Sequence, residues 1–116
     1  MSTLNVANIS DGTDTVETGY VVNGSARAWV NFNGAGTIAI RESLNVTSLV
    51  DNGVGDYTVS YVDIFTSVGY SYYVTGGGNI FVSSHAAGSI SIDNFSIPGT
   101  RVDNEQISFG AHGDLA

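Results

Sequence analysis

The chain has 116 residues, enough for one domain with its own core, and carries three arginines, no lysine and eleven carboxylates for a formal charge of −8. Such a surface repels phosphate backbones and anionic lipid headgroups, so neither nucleic acid nor a membrane is an expected partner. The absence of cysteine excludes disulfides, thiolate nucleophiles and thiolate metal sites, and leaves the redox compartment unconstrained.

Met1-Ser2-Thr3 lacks a basic start and no apolar run follows it, so no signal peptide is expected. No segment has the length of a membrane-spanning helix, and a soluble chain is expected. With 42% hydrophobic residues, six tyrosines, five phenylalanines and one tryptophan, the composition is that of a folded protein.

In chain order, alternation of apolar and polar residues dominates. "TLNVANI" places Leu4 and Val6 on one face, with Ile9 out of register, and "ETGYVV" reads as a short strand or part of a loop. Residues 1–25 are taken together as an N-terminal strand or arm, and 26–116 as a single β-sandwich domain. "RAWVNFN" sets Ala28, Val30 and Phe32 on one face and Arg27, Trp29, Asn31 and Asn33 on the other. "NGAG" is a hairpin turn by its Asn-Gly start, and "TIAIRES" returns with Ile38 and Ile40 together.

"NVTSLV" leads through the turn "DNGVGD" to "YTVSYV", with Tyr57, Val59 and Tyr61 on one face. "YSYYVT" is closed by Gly76, Gly77 and Gly78, and "NIFVSS", "SISIDNFSI" and "EQISFG" complete the series, with Pro98 at the last major turn. About eight or nine short strands between Gly/Asn/Asp turns imply an all-β fold, an antiparallel β-sandwich or jelly-roll-like barrel.

Catalytic signals are weak. His85 in "SSHAAGS" and His112 in "GAHGDL" are glycine-flanked loop histidines, and no nucleophile-elbow pattern surrounds a serine. Asp51, Asn52 and Asp56 of "DNGVGD" offer oxygens to a calcium ion, but their spacing is not that of a helix-loop-helix calcium loop, and Asp and Asn are common turn formers. "HGD" at 112–114 is a weaker metal signal still. "TGGGN" precedes a strand and so lacks the helix N-terminus of a phosphate loop. No cofactor and no enzymatic activity are expected.

Aromatic residues carry the stronger signal. Tyr70, Tyr72 and Tyr73 fall close together, and tyrosine offers a large apolar face with a polar tip, so the group is a candidate surface-binding site. Trp29 faces opposite to Val30 and Phe32, with Arg27 and Arg41 on the same alternate face. Arginine favours bidentate pairing with carboxylates, so Arg27, Trp29 and Arg41 are candidate subunit-interface residues. Trp29 in an ordinary intramolecular core is the alternative.

The run "ARAWVNFNGAGTIAIRESLNVTSLVDNGVGDYTV" resembles a module of tail-fibre and related virion proteins of tailed, often marine, bacteriophages. The shared residues are Ala28 to Gly34, Gly36, Ile40-Arg41, Ser43, Asn45-Val46, Ser48, Asp51 to Gly53 and Gly55 to Val59. "STLNVANISD" is similar to the start of many of these proteins, usually with lysine where Asn5 stands. The likeness covers roughly residues 2 to 73; after Val59 only Tyr70 corresponds, and the last 40 residues match no pattern of the family.

The resemblance implies a homotrimeric virion surface protein, assembled in the host cytoplasm, with other virion proteins and a host surface glycan or protein as partners. A tail-fibre-type appendage is the first reading. The short chain, taken as complete from its own methionine, gives the second: a capsid decoration protein bound to the shell through its N-terminal arm.

Overall fold

The computed structural model describes residues 2–62, 65–96 and 99–113. Ten strands and one short helix follow in the order β1 (Asn8–Ser10), β2 (Thr15–Glu17), α1 (Thr18–Gly24), β3 (Ala28–Asn33), β4 (Ala39–Leu44), β5 (Val46–Gly53), β6 (Asp56–Tyr61), β7 (Ser71–Gly76), β8 (Asn79–Ala86), β9 (Ser89–Phe95) and β10 (Ile107–His112). Eight form two antiparallel four-stranded sheets, β4-β3-β10-β7 and β5-β6-β9-β8, while β1 and β2 form a separate hairpin. All pairings are antiparallel and both sheets keep open edges, so the fold is a sandwich rather than a closed barrel. The two arm strands account for ten where the sequence suggests eight or nine.

Alternation decides what lies between the sheets. Ala28, Val30 and Phe32 of β3 and Ile107, Phe109 and Ala111 of β10 face Tyr57, Val59 and Tyr61 of β6 and Ile90 and Ile92 of β9, all buried. Phe32 meets the Tyr57 ring edge-on at 5.3 Å, and Tyr61 stacks on Phe109 at 5.6 Å. The inner faces of the central strands are apolar except at the end of β9, where Asn94 is buried; a slip of one residue would expose the apolar set, and the register is fixed.

One special backbone position connects the layers, and two glycines shape the turn between β3 and β4. β4 passes from the first sheet to β5 in the second through Asn45 alone, which has a φ of 59°. Asparagine tolerates this left-handed conformation, and here its Nδ2 donates to Arg27 O at 2.6 Å while its own carbonyl accepts from Val62 N at 2.9 Å. In the "NGAG" turn the left-handed residue is Gly36, at φ 63°, while Asn33 Oδ1 accepts from Ala35 N. Gly34 serves closeness: a Cβ there would lie 2.5 Å from the Tyr57 hydroxyl oxygen. Pro98 lies outside the described residues.

In "ETGYVV" Glu17 ends β2 and Thr18 to Val22 belong to α1, neither strand nor loop. Val21 and Val22 have little helix propensity, so tertiary contacts hold the turn. Thr18 N donates to Ala7 O at 2.9 Å, and the last carbonyls are capped from outside the helix: Arg27 NH2 donates to Val22 O, and His112 Nδ1 bonds Asn23 O.

Residues 2–24 add nothing to the core. Every one is exposed except Thr18, which is partly so. The radius of gyration is 16.7 Å with a long axis of 51 Å, against about 13 Å for a compact chain of this length.

Burial raises the Tyr57 hydroxyl to about 12, helped by its hydrogen bond to the Asp103 carboxylate at 3.0 Å. Burial also raises Tyr61 and Tyr70, whose hydroxyls bond each other, with Tyr70 donating on to Ala86 O. A raised folded-state value means stability is fully present below pH 10 and falls as pH rises toward 12. Denaturant melts at stepped alkaline pH should show that decline; a midpoint flat through pH 12 would contradict it.

Candidate functional site

The outer face of the first sheet follows from the same alternation. Trp29 is paired with Leu44 of β4 on one side and Gly110 of β10 on the other, and Gly110 is paired in turn with Tyr73 of β7. One row therefore reads Leu44, Trp29, Gly110, Tyr73. Beside it runs a polar row, Glu42, Asn31, Ser108, Thr75. Trp29 is half-buried and lies outside the sandwich core, which rules out the intramolecular core alternative.

Gly110 shapes the aromatic row. A Cβ there would stand 2.3 Å from both the Cζ and the hydroxyl oxygen of Tyr73. The Tyr73 ring thus lies across the bare backbone of β10, toward the strand that carries Trp29, and remains 52% exposed. The polar row is fixed by a hydrogen-bond chain: Arg41 NH1 donates to Asn31 Oδ1 at 3.3 Å and Asn31 Nδ2 donates to Ser108 Oγ at 2.8 Å. Arg41 is the residue that a bulge inserts opposite Asn31 and Phe32, and this re-aims its side chain over the face.

All three arginines have partners within their own chain. Arg27 ties α1 to the sandwich, with its Nε buried and unpartnered. Arg41 also donates to Glu105 O. Arg101 bridges Asp93 at 2.9 Å and Asp56 at 3.3 Å, two carboxylates that stand opposite each other on β9 and β6, and its guanidinium lies 5.2 Å from the Phe95 ring centre.

The three tyrosines do not form one surface. Tyr70 is only 5% exposed, stacked on Phe65 at 4.2 Å and hydrogen-bonded to Tyr61, so its assignment to a surface site is corrected: it is a core residue. Tyr72 faces the seam between the sheets and packs against His85 of β8 at 5.0 Å. Only Tyr73 points outward on the sheet face. Tyr72 and Tyr73 are adjacent on one strand and must point opposite ways.

The remaining signals have structural uses. His85 is held between the rings of Tyr70 and Tyr72 on a strand, rather than in a loop. His112 likewise ends β10 and caps α1. In the "DNGVGD" turn Asp51 Oδ1 accepts from Gly53 N, and Asp56 pairs with Arg101, which it shares with Asp93, so both carboxylates have partners. Among the described residues no three His, Asp or Glu side chains gather as a metal site. Asp114 lies outside them. No helix is long and apolar enough to cross a membrane among the described residues.

The arm is the second surface of note. Ile9 and Val16 are cross-strand partners on one side of the β1-β2 hairpin. With Leu4, Val6, Tyr20, Val21 and Val22 they are exposed, Leu4 at 83% and Tyr20 at 70%. Glu17, Gly19, Tyr20, Asn23 and Gly24 line an open hollow of about 500 Å³. The hairpin tip is set locally: Asp11 Oδ1 accepts from Thr13 N and Asp14 N, and these bonds, Asp14 first, hold the Asp11 carboxyl below its ordinary range.

Comparison with protein-family models, with curated proteins and with solved structures finds no match to this chain.

Arg101→Met should destabilise the fold by about 1–3 kcal/mol, since it strips the partner from the nearly buried Asp93 while the arginine itself is well solvated. Chemical denaturation of the variant checks this; an unchanged midpoint would mean the bridge contributes nothing.

Proposed function

We propose that the chain is a non-enzymatic structural protein of a tailed-phage particle, a homotrimeric surface appendage of tail-fibre type that presents its sandwich to the host surface. The observation that carries the reading is the arm: seven large apolar side chains between Leu4 and Val22 are exposed, on a segment with no buried residue. A two-stranded hairpin of three residues a side is marginal in water unless something packs on it. Exposed apolar side chains gathered on one segment in this number are typical of an association site. The resemblance of residues 26–59 to the phage module supplies the trimer and the particle.

The same arm supports a second reading, a capsid decoration protein, in which the shell rather than two further copies covers those side chains. In both readings the sandwich is carried outward and the arm anchors it.

Light-scattering mass of the purified chain tests the proposal. The appendage reading predicts a species of three times the 12.1 kDa chain. Tyr20→Ser combined with Val21→Ser should reduce it to a monomer with an unchanged melting transition of the sandwich, since neither residue touches the core. A monomer that sediments with empty phage shells would favour the decoration reading. A monomer that also ignores shells would overturn both.

A further inference from the structure

We propose that the outer face of the β4-β3-β10-β7 sheet is a binding platform for a neutral glycan. The proposal deepens the host-facing role proposed above and rests on it for its biological setting, but its chemistry comes from the face itself.

Three features of that face converge on a sugar. The first is ring presentation. Tyr73 of β7 lies across Gly110 of β10, and Trp29 follows in the same row on β3, so the row carries two aromatic groups on one face of the sheet. With strands about 4.8 Å apart, the row from Leu44 to Tyr73 spans about 14 Å, room for more than one sugar ring. Exposed aromatic faces accept the apolar C–H face of a pyranose, and their polar tips stay wet.

The second is the polar row alongside. Asn31, Ser108 and Thr75 present an amide and two hydroxyls in register beside the aromatic row. Arg41 holds the Asn31 amide in one orientation, so the Ser108 hydroxyl, which accepts from Asn31, keeps its own proton to donate. Donors and acceptors of this kind, fixed before binding, match the hydroxyls of a neutral sugar.

The third is charge. Arg41 is the one arginine that reaches the polar row, and both ends of its guanidinium are already bonded within the chain. Glu42 stands beside Asn31, and the whole chain carries −8. An anionic polymer is repelled, and a neutral one is not. A second copy of the chain would bring the same charge and the same Glu42, and would have to desolvate the polar row without sugar-like partners for it.

Trp29 is the only tryptophan, so indole emission of the full-length chain reports on this face alone. Maltohexaose, cellohexaose, mannohexaose and galactohexaose, titrated against an alginate oligomer, form the test. The expected result is a saturable emission change with at least one neutral hexaose and none with alginate. Tyr73→Ala and Asn31→Ala should each weaken that binding at least tenfold. Gly110→Ala should do the same because its Cβ displaces the Tyr73 ring. Melting curves confirm that each variant folds, and Tyr73→Ala, at an exposed position, serves should Gly110→Ala fail to fold.

No response to any of the four hexaoses overturns the proposal, as does binding that survives Tyr73→Ala, or a response to alginate alone. An emission change that follows protein concentration instead of sugar would assign the face to a second copy. Light-scattering mass on the same samples reads the arm separately. A trimer without sugar binding leaves the assembly reading standing, and a sugar-binding monomer leaves the platform standing.

Discussion

The two-residue alternation of β3, held in register with β10, is the constraint on which the rest of the molecule depends. Ala28, Val30 and Phe32 bring one side of that strand into the core. The same geometry forces Trp29 and Asn31 out onto the opposite face. Nothing about the outer face is chosen independently: its aromatic and polar rows are the other half of the pattern that builds the core. Gly110 completes it. In an outward position of β10 it leaves a gap that no other residue would, and the Tyr73 ring occupies it. The residue at 110 thus links packing to surface chemistry: it leaves the inner face of β10 untouched and determines where an aromatic ring lies outside.

The arm follows a different logic. Residues 2–24 are held by hydrogen bonds: the Asp11 side chain at the hairpin tip, Thr18 bonding back to Ala7 just before β1, and the carbonyls of α1 capped by Arg27 and His112. These contacts fix a shape without burying apolar surface. The apolar side chains of the arm are therefore left in water, whereas in the sandwich one face of each central strand is buried in the core. One chain accordingly contains a sandwich built around a buried apolar core and an N-terminal segment whose apolar side chains are exposed.

The strands were largely readable because alternation and Gly/Asn turns are local signals. All eight sandwich strands lie where "RAWVNFN", "TIAIRES", "NVTSLV", "YTVSYV" and the later segments place them. What could not be read was pairing across distance. "ETGYVV" reads as a short strand or part of a loop, yet from Thr18 onward it is helical, with side chains from Arg27 and His112 reaching the helix end. Tyr70, Tyr72 and Tyr73 look like a cluster on paper, yet they divide among core, seam and outer face once β7 is paired with β10. The alternation of Tyr72 and Tyr73 was itself a sufficient signal to separate them. The row joining Trp29 to Tyr73 across Gly110, by contrast, depends on strands distant in sequence, and so does the bridge from Arg101 to Asp56 and Asp93.

An arm that assembles and a sheet face that stays open together make the central claim, and one property separates it from assembly through the sheet. Collisional quenching of Trp29 emission by acrylamide, in the full-length chain at concentrations where light scattering finds the oligomer, measures it directly. The account predicts an indole as readily quenched in the oligomer as in the monomer obtained by dilution. An indole that becomes protected and blue-shifted on assembly would place Trp29 between subunits and contradict it.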